Sequence, residues 1–124
     1  LYNMDNNNGA IYCYQRVLEL KPDDEECWVD LGIVYLDSGD TEKAMECFDN
    51  AIDVSPDYGE GYYNKSKIYL KRKDIKNAAH WLHLAIIFDP ALADDYEFDF
   101  GYMVDNETLK QLKDELDKLI KNQP

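Results

Sequence analysis

The residues able to break or make bonds are few and poorly grouped. His80 and His83, in "AHWLH", stand three apart, so one helix face could bring both to a metal ion. No carboxylate or cysteine stands nearby at a matching spacing, and a zinc site needs three or four such ligands. They read as surface histidines beside Trp81. Cys13, Cys27 and Cys47 are odd in number and form no Cys-x-x-Cys pair, which suggests neither a disulfide framework nor a zinc knuckle and fits a reducing, cytoplasmic setting. Cys13 and Cys47 are 34 apart, pointing to packing or partial burial, and neither has a positioned base to make it a nucleophile. Asp and Glu abound, but on helix faces they are more simply solvated charge than acid–base couples. The sequence nominates no catalytic residue, no metal ligand and no cofactor; it does not read as an enzyme.

Charge supplies chemistry of another kind. The chain has 13 Lys and Arg against 26 Asp and Glu, the wrong balance for gripping a phosphate backbone, so nucleic acid is not an expected partner. Residues 25–58 carry ten acids and one base, whereas 59–92 carry three acids and six bases. A basic peptide or basic protein patch would be steered to the acidic stretch, less so in salt. The same imbalance also serves solubility. The longest apolar run, Trp81–Phe88, is interrupted by His83 and falls short of the roughly 18 residues a membrane helix needs. The chain begins at Leu1 and reads as a piece of something longer.

The elements that carry these residues follow a fixed period. Pro22, Pro56, Pro90 and Pro124 are the only prolines, each 34 residues from the next. The same step joins Ala10, Ala44 and Ala78; Val17, Ala51 and Ala85; Tyr14, Phe48 and Leu82; and Tyr35 with Tyr69. A period of this length implies stacked repeats. Within one period, Trp28, Leu31, Gly32 and Tyr35 share a helix face, and Ala44, Phe48, Ala51 and Ile52 share another. "DSGDTEK" between them supplies a left-handed Gly39 and a cap from Asp40 or Thr41. Gly32 and Ala44 suit a close crossing of two antiparallel helices, and Trp28, Tyr35 and Phe48 fill the wider gaps. A bulky residue at Ala44 would overpack that crossing by about 1–3 kcal/mol. Pro56 ends the second helix.

With Pro56 completing the set, the spacing of these residues resembles the tetratricopeptide repeat, a 34-residue helix-turn-helix motif. Residues 25–58 agree at every signature position. In 59–92, Tyr62, Tyr69, Ala78, Leu82, Ala85 and Pro90 agree, but Lys65 and Ser66 replace the expected Leu and Gly, which predicts looser packing of that first helix. Residues 1–24 look like the second helix of a partial repeat, and 93–124 a degenerate repeat whose Leu112, Leu116 and Leu119 suit a capping helix. The alternation in "DDYEFDFGYM", 94–103, suits an extended segment as readily as a helix; a short or distorted helix is the expectation, with Phe98 toward the groove.

What the resemblance implies is an all-α, right-handed superhelical stack of about three and a half repeats in one domain, acting as a non-catalytic protein-interaction module. Family members bind peptides in the groove of their first helices. Glu26, Val29, Asp30, Ile33, Asp37, Glu60, Tyr63, Asn64, Lys67 and Lys71 stand at those positions. The family's two-carboxylate clamp, which grips acidic chaperone tails with Lys, Asn and Arg, is disfavoured: Asp30 stands where Asn is needed, with Glu60 and Asn64 in place of the basic residues. The rival reading is a scaffold segment that stacks on further repeats or on a copy of itself, through a face at residues 7–20 with Ile11, Tyr14 and Leu18.

Overall fold

The computed structural model describes residues 2–123, with side chains from residue 6. Leu1 and Pro124, which enter the reading of a fragment and the proline register, lie outside the described residues. The described residues form seven helices: α1 Tyr2–Leu20, α2 Glu25–Asp37, α3 Thr41–Val54, α4 Gly59–Lys71, α5 Ile75–Phe88, α6 Leu92–Gly101 and α7 Asn106–Lys121. The architecture is an all-α helical-repeat stack. The ends of α2 and α4, and of α3 and α5, are each 34 residues apart, so the sequence period is the period of the elements. Among the described residues no helix is long and apolar enough to cross a membrane.

Turn chemistry sets these boundaries. Asp24 caps α2 by accepting from Cys27 N–H at 3.0 Å, with Glu25 and Glu26 in the first turn where the helix dipole favours them. Asp40 caps α3 and Asp74 caps α5 in the same way. At the end of α2, Gly39 takes φ +88°, its N–H reaching Leu36 O and Asp40 N–H reaching Tyr35 O, which satisfies two orphan carbonyls. One period later Lys73 does the same with φ 60°, donating to Leu70 O while Asp74 donates to Tyr69 O. The turn is identical, but here an L-residue bears the left-handed strain.

The chain divides into two compact units, Leu1–Gly61 and Tyr62–Pro124, with α4 beginning in the first and continuing in the second. In the first, α2 lies against both α1 and α3. Leu31 and Tyr35 of α2 and Ala44, Cys47, Phe48 and Ala51 of α3 are buried. A Cβ on Gly32 would stand 2.8 Å and 2.9 Å from Phe48 Cδ1 and Cζ, so the crossing is as close as the small residues predicted. On α1, Leu18 is buried and Ile11 and Tyr14 are half-buried; Tyr14 O accepts from Cys27 Sγ at 3.6 Å, and Gln15 Nε2 donates to Tyr35 Oη at 3.1 Å. These residues therefore face α2 and are not the exposed apolar face expected of this segment. Tyr12, Val17 and Leu20 are the exposed ones. Cys13 is exposed too, against the expectation of packing, because it lies on the side of α1 turned away from α2. Cys47 is buried as expected.

In the second unit, Ala78, Leu82 and Ala85 of α5 and Leu112 and Leu116 of α7 are fully or almost fully buried, and these two helices pack together. The looser packing expected at Lys65 and Ser66 is not found. Ser66 is buried and its hydroxyl donates to Ala78 O at 2.7 Å, while Lys65 lays its ammonium 3.9 Å from the centre of the Trp81 ring. Each polar replacement makes a specific contact with α5 where Leu or Gly would only fill space. Segment 94–103 is helical through Gly101: Leu92, Tyr96 and Phe100 recur every four residues and are buried, so a helical period overrides the local alternation.

Candidate functional site

Each unit offers one face of a first helix, built by the packing on its opposite side. On α2, Leu31 and Tyr35 are committed to the core, which turns Glu26, Asp30, Ile33 and Asp37 outward at spacings of four, three and four. Glu26, Ile33 and Asp37 are exposed and Asp30 is half-buried. Val29 is buried, so it supports this face from beneath and does not meet solvent.

Glu60 joins them from the first turn of α4, and a residue absent from the sequence reading joins as well. Tyr58, half-buried just ahead of α4, has its hydroxyl pushed up to about 12 by burial and then by Glu60, Glu26, Asp30 and Glu25. Burial, then Glu26 and Asp24, also raise the carboxyl of Asp30. The available signal was positional: Tyr58 stands one period after the capping Asp24, where a capping side chain belongs. The face is a negative field with an aromatic ring and one exposed aliphatic side chain.

The second unit differs. Tyr63 is buried; its hydroxyl donates to Asp99 Oδ2 at 2.6 Å and its ring lies 5.2 Å from that of Phe100. Asn64 is buried as well. Neither side chain is presented to solvent. Lys67 places its ammonium 5.0 Å from the centre of the Tyr63 ring, and Lys71, exposed in the last turn of α4, is favoured there by the helix dipole. Asp99, which fixes Tyr63, was not legible as a partner because 36 residues separate the two.

His80 is exposed with its ring edge-on to Trp81 at 5.3 Å, whereas His83 is half-buried with Nε2 2.8 Å from Gln123 Nε2. Burial and then His80 lower the affinity of His83 for a proton. Cys47 has its thiol pushed up to about 12 by burial, then by Glu46 and Cys27, which disfavours the nucleophilic thiolate. On the side of α2 opposite Ile33, α1, α2 and α3 enclose an open cleft of about 560 Å³ whose lining includes Gln15, Leu18, Trp28 and Cys47.

Comparison with known families agrees with this geometry. A TPR repeat model matches residues 1–39, and tetratricopeptide repeat models match 25–58 and 59–91. No curated protein matches the chain. The two single-repeat matches begin at the first residues of α2 and α4 and each spans one helical hairpin. Period, turn geometry and family models thus coincide on the same residues, and the chain belongs to the tetratricopeptide repeat family.

Proposed function

We propose that the chain binds a protein or peptide on the outward faces of its first helices, with the face of α2 as the principal contact. Tetratricopeptide repeats mediate protein–protein interaction and are as a rule non-catalytic modules. One observation carries the finer reading: Glu26, Ile33 and Asp37 stand exposed on one side of α2 while Leu31, Gly32 and Tyr35 anchor the other. The helix is held by its neighbours, so a ligand meets a preorganised surface and need not order it. Lys67 and Lys71 extend the reading to α4 with opposite charge. The negative field around Tyr58 opposes an acidic chaperone tail and favours a basic segment.

The test is affinity capture from lysate on the immobilised chain, against a Glu26→Lys/Asp37→Lys variant of unchanged helicity. A protein retained by the first and lost by the second supports the α2 face; identical capture by both removes it. A second reading, self-stacking through α1, is favoured by the exposure of Tyr12, Val17 and Leu20. Sedimentation velocity over a range of concentrations separates the two: self-stacking requires an oligomer that Leu20→Ser disperses.

A further inference from the structure

Helix α6 leaves a second surface unaccounted for. Its buried stripe is Leu92, Tyr96 and Phe100, and the opposite stripe holds Asp94, Asp95 and Phe98, with Tyr102 at the cap just past its end. Phe98 is 70% exposed and Tyr102 80%, yet their rings pair edge to face with centroids 5.1 Å apart. An exposed aromatic pair in mutual contact is a standing apolar surface, unlike a single ring lying in solvent. Asp94 and Asp95 precede Phe98 by four and three residues, which on a helix makes both its neighbours.

Charge selects the occupant. Residues 91–106 contain five acids and no Lys or Arg. Three of the acids are engaged: Glu97 with Lys113 at 3.3 Å, Asp99 with the Tyr63 hydroxyl, and Asp105 with Lys73 at 4.0 Å. Asp94 and Asp95 take part in no ion pair among the described residues. We infer that this face of α6 docks an arginine-bearing basic peptide segment, one guanidinium lying on Phe98 between the two carboxylates and Tyr102 closing the far side. A guanidinium is planar and weakly hydrated, stacks on rings and offers five donors; an ammonium does these things less well. A second copy of the chain is the poorer occupant, since each copy carries a net charge of −13. The inference rests on the protein-binding reading but concerns a different helix.

Fluorescence anisotropy with a short labelled peptide of alternating arginine and serine tests it, alongside lysine–serine and glutamate–serine counterparts. The arginine peptide should bind best, and more tightly at low than at physiological ionic strength. Phe98→Ala should weaken it roughly two- to fivefold, the range of an exposed cation–π contact. Asp94→Asn/Asp95→Asn should weaken it and flatten the salt dependence. All these side chains are exposed, so circular dichroism should be unchanged. Equal binding of the glutamate peptide, or wild-type binding by both α6 variants, overturns the inference. Loss of binding in Glu26→Gln/Asp37→Asn but not in the α6 variants overturns it while leaving the α2 reading intact. A dimer dispersed by Phe98→Ala overturns it by assigning the face to self-contact.

Discussion

Replacing Gly32 by alanine places one methyl group against the most enclosed ring of the first unit. Three atoms of Phe48 would lie under 3.0 Å from the new carbon, and Phe48 is itself fully buried, so the ring has no solvent-filled space to retreat into. Overpacking of this kind costs about 2 kcal/mol, within a range of about 1–3. Alanine recovers about 1 kcal/mol of helix propensity over glycine. The net expectation is a loss of about 1 kcal/mol. Gly9 is the internal control: it is also helical, but a Cβ there meets nothing within 4 Å, so Gly9→Ala should gain up to about 1 kcal/mol. Two identical substitutions should thus act with opposite signs, separated by about 2 kcal/mol. Urea denaturation at 222 nm measures this, with Trp28 fluorescence in a Trp81→Phe background reporting the first unit. A double-mutant cycle with Phe48→Leu, which removes the ring, should return a favourable coupling above about 0.5 kcal/mol. Gly32→Ala as stable as wild type, or no coupling to position 48, would refute the close crossing.

Lys73→Gly relieves a left-handed φ of 60° and, with only an exposed pair to Asp105 at 4.0 Å to lose, should raise stability by about 0.5–1 kcal/mol in urea melts. Ser66→Ala removes the buried hydrogen bond to Ala78 O and should cost about 1 kcal/mol in the same assay. With Ellman's reagent, exposed Cys13 should react promptly, and buried Cys27 and Cys47 only after denaturant is added. His83 binds a proton less readily folded than unfolded, so its contribution is complete above the ordinary value of 6.5 and declines as pH falls below it. His83→Gln should therefore flatten the fall in melting temperature between about pH 7 and about pH 5; an unchanged slope would show that other groups govern it.

The amino-acid sequence alone determined the period and most of what the period enforces. Local chemistry is enough for that: Asp40 caps where a cap is needed, Gly39 turns left-handed because glycine can, and small residues recur where helices cross. The pattern also named the buried rows, since Ala44, Phe48, Ala51, Ala78, Leu82 and Ala85 repeat at helical spacing. Tertiary structure decided the exceptions. Lys65 and Ser66 looked like weak points because their partners, the Trp81 ring and the Ala78 carbonyl, are distant in sequence and come within reach only when α4 lies on α5. Tyr63 and Asn64 hold groove positions in the repeat, yet packing buries both, and Asp99 enters only as the acceptor that holds the Tyr63 hydroxyl. Periodicity states which face of a helix is apolar; which neighbour covers that face, and which side chain is left in water, depends on packing between residues far apart in the chain.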